Sequence, residues 1–153
     1  MGIYTLRQAT NNDYDFLYTL NKTTLKDFVF QTWGRWEEEW QSARFRANFD
    51  TSDYQIIVVD GNDVGEIILV EREADLHIAS IEILPEYQGQ GIGTAIIKDI
   101  LARAARAGLP VRLQVLKVNP ARRLYERLGF AVIGETEIHY LMCRQPEQEK
   151  SEA

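Results

Sequence analysis

Two spacings of apolar residues alternate along the chain, and the changes between them mark its elements. "IYTLRQA" places apolar residues at every second position, the period of a half-buried strand. From Asp13 the interval lengthens. Phe16, Leu17, Leu20 and Leu25 predict a helix through "DYDFLYTLNKTTLKDFVF", with Asn11 or Asn12 as its cap. "QTWG" interrupts that run, and Gly34 suits the break. A second helix is expected in "RWEEEWQSARFRANF", anchored by Trp36, Trp40, Ala43 and Phe45.

The two-residue period then returns. "YQIIVVD" turns at "GND" into "VGEIILVERE", a hairpin signal, and "ADLHIASIEIL" forms a third strand that ends at Pro85. Ile92, Ile96, Ile97, Ile100, Leu101 and Ala104 predict a helix from about Gly91 to Ala107, stopped by Gly108. "PVRLQVLKV" reads as a strand. Asn119 caps a short helix with Pro120 in its first turn, and Gly129 ends it. "FAVIGETEIHYLMCR" gives two closing strands around Gly134. The result is a mixed α/β domain over residues 1–145, followed by a polar tail, 146–153, that reads as disordered.

Between the third strand and its helix stands Gln88-Gly89-Gln90-Gly91-Ile92-Gly93-Thr94, with glycine at every second position. Glycine lets a ligand approach the main chain, and a helix N-terminus offers unpaired N–H donors to an anion. Tight strand-to-helix packing explains glycines too. The spacing is not that of a P-loop, since no Lys-Ser or Lys-Thr pair follows. Nor is it G-x-G-x-x-G at the start of a βαβ unit.

Charge sharpens the picture. The net charge is -6, which argues against nonspecific nucleic-acid binding. Between Gly91 and Leu128, eight basic residues face two acidic ones, so this segment carries +6 and the remainder -12. An anionic ligand in the basic part fits, as do solvated helix faces. One cysteine, Cys143, in a strand pattern, reads as a buried thiol in a reducing compartment. No run is long enough to span a membrane and no signal sequence stands at the N-terminus, so a cytoplasmic location is expected. Two histidines and one cysteine, widely spaced, make no metal-ligand cluster, and no metal is expected.

Gln88-x-x-Gly91-x-Gly93, preceded by "ILPEY" and a strand, resembles the acetyl-coenzyme A signature of the GNAT superfamily of N-acetyltransferases. "NPARRLYERLGF", from Asn119 to Phe130, is similar to that superfamily's N-x-x-A-x-x-L-Y-x-x-x-G-F segment, and the element order agrees from Ile3 to about Arg144. The resemblance implies a mixed, mostly antiparallel sheet of six to seven strands, splayed at the coenzyme site, with about four helices. It implies an acyltransferase that moves the acetyl group of acetyl-CoA to a primary amine by direct attack. The pyrophosphate would lie on the amides of Gln88, Gly89, Gln90, Gly91, Ile92, Gly93 and Thr94. The pantetheine arm would pair with backbone near Ile81 and Ile83. Asn119 would add a coenzyme contact, and Arg122 and Arg123 would meet phosphate or face water.

Under this resemblance Tyr125 is the candidate acid for the departing thiolate. Leu124 and Leu128 share a core face, and Tyr125, turned about 100° from Leu124, can point toward a cleft. For the base, Glu82 ranks first, a carboxylate amid the apolar neighbours of "SIEIL", with His139 and His77 behind it. His77 and Glu82 fall on opposite faces of an unbroken strand. Gln114, where some relatives carry a glutamate, cannot accept a proton. Trp33, Glu82 and His139 are candidates to contact the acceptor. Two alternatives stay open: transfer of a longer acyl group, and a non-catalytic acyl-CoA sensor or docking module. Pairing of two copies through a sheet edge, as in many family members, is also open.

Overall fold

A computed structural model describes residues 3–146. Apart from Pro146, the expected tail therefore lies outside the described residues. Seven strands form a sheet in the order β1-β2-β3-β4-β5-β7-β6, accompanied by four α-helices. Contacts gather into two compact units: residues up to Leu69 with Ser80–Gly93, and Val70–Ala79 with Thr94 onward. Among the described residues no helix is long and apolar enough to cross a membrane.

The first unit begins with β1 (Thr5–Gln8), which pairs antiparallel with β2 (Tyr54–Val59). Between them lie α1 (Tyr14–Trp33) and α2 (Glu38–Asn48). The entry to α1 differs from the expected Asn cap. Thr10 and Asp13 form a reciprocal capping box around a 3-10 turn, Asn11–Asp13, because the Thr10 hydroxyl reaches the Asn12 N–H while the Asp13 carboxylate takes the Thr10 N–H. Asp13 is also clamped by Arg7, whose two terminal nitrogens lie 2.8 and 3.0 Å from its oxygens. Gln31, Thr32 and Trp33 continue the helix rather than interrupt it, and the break comes at Gly34, with φ 86°. Leu17 and Leu20 are buried with Val29, while Phe16 and Leu25 are only half-buried.

The second helix corrects the expected anchors. It begins at Glu38, so Trp36 precedes it and the four-residue spacing from Trp36 to Trp40 is not helical. Trp40 is 55% exposed, and its ring lies under the Arg44 guanidinium instead of in the core. Ala43 is exposed as well. The anchors are Phe45 and Phe49, which meet Tyr14, Tyr18 and Tyr54 in an aromatic cluster beside Ala9, Leu17 and Ile56. Glu38 fixes the start of the helix by accepting from Tyr18, Lys22 and the Trp36 indole.

β2 turns at Asp60-Gly61, whose φ values are both positive, into β3 (Asn62–Glu71). The turn sits one residue earlier than expected, because Asp-Gly matches the twist of a two-residue hairpin and leaves Asn62 free to join the strand. A bulge at Val64 shifts the register between Ile57 and Val58. β4 (Leu76–Ile83) follows, and its last four residues belong to this unit.

The second unit contains the first half of β4, then α3 (Ile92–Ala107) from Thr94 on, β5 (Val111–Leu116), α4 (Ala121–Arg127), β6 (Ala131–Glu135) and β7 (His139–Arg144). β4 and β5 run parallel, paired at Leu76–Val111, His77–Arg112 and Ile78–Leu113. β7 pairs antiparallel with both β5 and β6. Gly134 lies inside β6 at a register shift, and the turn falls at Thr136–Ile138, where the Thr136 hydroxyl accepts from the N–H groups of Ile138 and His139. Cys143 is buried in β7.

Candidate functional site

In the first unit, β4 runs into a 3-10 turn, Pro85–Tyr87, and then into the glycine loop. The Gln88 N–H bonds to the Pro85 carbonyl at 3.2 Å. Among the described residues, the main-chain N–H groups of Gly91, Ile92 and Gly93, at the first turn of α3, make no hydrogen bond, whereas that of Gln90 closes the turn through Gln88 and Gly89. The Gln88 side chain folds back and donates to the Ile83 carbonyl at 2.8 Å, and the Gln90 side chain donates to the Glu86 carbonyl at 3.0 Å. Both side chains thus brace the loop against the segment before it and turn away from its amides. Gly91 has φ 85°, a conformation other residues rarely adopt, and a Cβ there would meet open space. Gly93 is different: its φ is ordinary, and a Cβ would make normal contact with Ile83 Cδ1 at 3.5 Å.

Close by in sequence, Glu82 is 7% exposed, and its carboxylate accepts from Asn21 Nδ2 on α1 at 3.0 Å. Burial pushes its pKa up to about 7, opposed by the hydrogen bonds from Asn21 and Thr24. A second buried carboxyl accompanies it. Glu66, on β3, is 1% exposed. Its Oε1 accepts from the Ser80 hydroxyl at 2.6 Å, and its Oε2 has no partner. Burial, then the charge of Glu82, raises Glu66 well above the ordinary carboxyl range. The same two carboxylates and burial raise the phenol of Tyr54 on β2. Sequence reading missed Glu66, Asn21 and Tyr54. The signal for Glu66 was available, since it interrupts "VGEIILV" much as Glu82 interrupts "SIEIL".

Trp33 stands apart from this group. It is 54% exposed at the end of α1 and lies nine residues beyond Thr24, roughly 14 Å along the helix axis.

The second unit holds Thr94, Asn119, Arg122, Arg123, Tyr125, His77 and His139. Asn119 Oδ1 accepts from the Ala121 N–H at 2.9 Å, so its side chain caps α4 as expected. Arg122 pairs with Glu126 at 3.3 Å and covers the Tyr140 ring at 4.6 Å, whereas Arg123 is exposed. The faces of α4 differ from the expected ones. Leu124 and Leu128 are half-buried, and Tyr125 is the residue turned inward, 9% exposed and edge-on to Phe130 at 5.9 Å. Burial raises its pKa. Gly129 closes the helix with a Schellman pattern, in which Phe130 N–H reaches the Tyr125 carbonyl and Gly129 N–H reaches that of Glu126.

His77 is half-buried, while Leu76, Ile78 and Glu82 are the buried positions of β4, so the two candidate bases follow the opposite-face expectation. Burial lowers the pKa of His77, aided by Arg72 and opposed by Asp75. Burial also lowers that of His139, which sits at the start of β7 beside Thr136. Gln114 is exposed on β5. A surface pocket of about 420 Å³ opens among Lys98, Leu101, Arg127, Leu128 and Arg144, and its lining includes none of the candidate catalytic, coenzyme or acceptor residues.

Comparison with known proteins places these features in a family. Residues 17–130 match the profile described as "Acetyltransferase (GNAT) family". The chain is 29% identical over 141 residues to an uncharacterized N-acetyltransferase of Methanocaldococcus jannaschii, covering 83% of this chain and 60% of that protein. It spans about three fifths of the length of the curated relatives it matches first. Among solved structures, the PaiA N-acetyltransferase of Thermoplasma acidophilum, in complex with coenzyme A, superposes with a TM-score of 0.69 at 19% identity, over 95% of this chain and 99% of that one. The ribosomal-protein-S18-alanine N-acetyltransferase of Escherichia coli gives 0.66 at 19% identity, over 98% of both chains. With its profile match spanning both the glycine loop and the Asn119–Phe130 segment, the chain belongs to the acetyltransferase (GNAT) family.

Proposed function

We propose that the protein is an N-acetyltransferase that uses acetyl-CoA and accepts a primary amine, on a small molecule or a peptide. The observation that carries this reading is the set of main-chain N–H groups at Gly91, Ile92 and Gly93 that have no partner among the described residues at the corner where a strand enters a helix. Donors left open at a helix N-terminus suit a pyrophosphate. Acetyl-CoA supplies the acetyl group as a thioester.

An amine at neutral pH is protonated and must lose a proton before it can attack. Glu82 has a carboxylate with a pKa near 7, poised for that task. Asn21 holds it in orientation. Tyr125, its phenol raised by burial, keeps its proton at neutral pH and serves as donor to the departing sulfur. Over one turnover the ammonium gives up two protons, one to the coenzyme thiol and one to solvent by way of Glu82. His77 and His139 stay behind Glu82 as base candidates. Burial leaves both imidazoles more readily neutral; His139 has only a long 3.5 Å contact with the Thr136 hydroxyl, against the 3.0 Å bond by which Asn21 holds Glu82.

The test has two parts. Calorimetry with acetyl-CoA should show binding that Gly91→Val weakens at least about tenfold, since valine resists φ near 85° and the amides lose their alignment. Unchanged affinity would remove the loop from the site. Thiol release from acetyl-CoA should then appear with at least one member of an amine panel. Binding without release on any amine would favour the sensor or docking module.

A further inference from the structure

Gly65 on β3 lies directly against Ile83 on β4, where a Cβ would stand 3.1 Å from the Ile83 Cα. The Leu84 N–H bonds to the Val64 carbonyl at 2.8 Å, in the same register. Glu66 follows Gly65 on β3 and Glu82 precedes Ile83 on β4, so the two residues stand near one another across this strand pair, close enough for the charge of Glu82 to act on Glu66. The Ser80 hydroxyl, two residues from Glu82 and on the same face, reaches Glu66 Oε1 and fixes this orientation.

Among the described residues of this unit, no ion pair to Glu66 or Glu82 is found. From α1 come Asn21 and Thr24, from β4 Ser80, and from β2 the phenol of Tyr54. Within the same unit Arg7 is committed to Asp13 and Asp63, Lys22 to Glu38 and Arg35 to Glu37. Two carboxylates buried side by side without a counter-ion cannot both ionise. Glu66 is the more deeply buried, and its Oε2 is unpartnered. An ionised oxygen in that position would be desolvated without any donor. A protonated one becomes a donor, and Glu82 is the neighbouring carboxylate whose charge acts on it.

We propose that Glu66 and Glu82 form a one-proton carboxyl pair in which Glu66 remains the neutral acid and donates its O–H to the Glu82 carboxylate. Glu66 is thereby a positioning residue. It holds the base in one rotamer and stabilises its ionised form, while Glu82 exchanges protons with the acceptor amine. The proton on Glu66 is not transferred during turnover. The link to catalysis rests on the reading of Glu82 as base; the proton count of the pair does not.

The test is a carbon-13 NMR titration of the full chain, labelled at the glutamate side-chain carboxyl carbons and followed from about pH 4 to pH 9. Glu66→Gln and Glu82→Gln identify the two signals by difference. One buried carboxyl is expected to keep the chemical shift of a neutral acid through pH 8, while the other titrates near neutrality. Glu66→Gln retains an N–H donor and should leave the Glu82 midpoint within about half a pH unit. Glu66→Leu removes the donor and should raise it by about a unit or more, a tenfold change in proton affinity. The acid limb of kcat/KM should move in the same way, a shift that a purely structural role for Glu66 does not produce. Ionisation of Glu66 below pH 7, or equal midpoints for Glu82 in the Gln and Leu variants, would overturn the pair. If Glu66→Leu does not fold, the wild-type titration alone decides whether Glu66 is neutral. The titration needs neither acetyl-CoA nor an acceptor, so its failure is distinct from a failure of the acetyltransferase reading, which the calorimetry and thiol-release assays address.

Discussion

The roles proposed for Glu82 and Tyr125 each concern a single proton. Activity that depends on an ionised Glu82 rises with pH through about 7 and reaches a plateau above it. Glu82→Gln should abolish that limb and lower kcat/KM by roughly 10²- to 10⁴-fold, as measured by thiol release across pH. Tyr125→Phe keeps the edge contact with Phe130 but removes the donor. It should lower kcat by about 10- to 100-fold while the affinity for acetyl-CoA, followed by calorimetry, stays nearly the same. Equal turnover would take Tyr125 out of the reaction. Glu82 could be read from the sequence because a charge inside an apolar strand needs a reason. Its partners could not. Glu66 is an equally odd residue sixteen positions earlier, but only the folded strands bring the two near one another, and only the packing of α1 brings Asn21 onto the carboxylate.

Among the elements, those closed by local signals were the easiest to read. The start of α3 and the ends of α1, α3 and α4 follow from glycines in the left-handed region, whose effect is confined to a few residues. The second helix was misread because Trp36 and Trp40 share a helical interval, while the helix begins between them. Hydrophobic size alone did not reveal that Phe45 and Phe49, not Trp40, face the aromatic cluster. Gly65 is an element-scale requirement that no periodicity reveals. A Cβ there would run into the Glu82 carbonyl and crowd Ile83. Gly65→Ala should push β3 from β4 and cost on the order of 1–3 kcal/mol of unfolding free energy, measured by urea titration. Because the clash is with the backbone of Glu82, the proposed base, the same variant should also lose activity under conditions where it remains folded.

For the molecule as a whole, the order of strands and helices was legible, since each turn from a two-residue to a four-residue period is written locally. The sheet order was not. β7 sits between β5 and β6, a placement that depends on pairing across the chain and not on spacing within it. The buried carboxyls, too, act beyond their strands. In an unfolded chain a glutamate releases its proton near pH 4.5, whereas folded Glu82 retains it to about 7. Between those values the native state binds a proton that the unfolded state has shed, so stability declines as pH rises through the window and levels off above it. For Glu82 alone the decline is on the order of 3 kcal/mol. The urea midpoint should therefore be higher at about pH 5.5 than at about pH 8, and Glu82→Gln should narrow the gap. On the proposed reading, alkali that arms Glu82 also loosens the scaffold around it, and the protein would be at its sturdiest where it is least reactive.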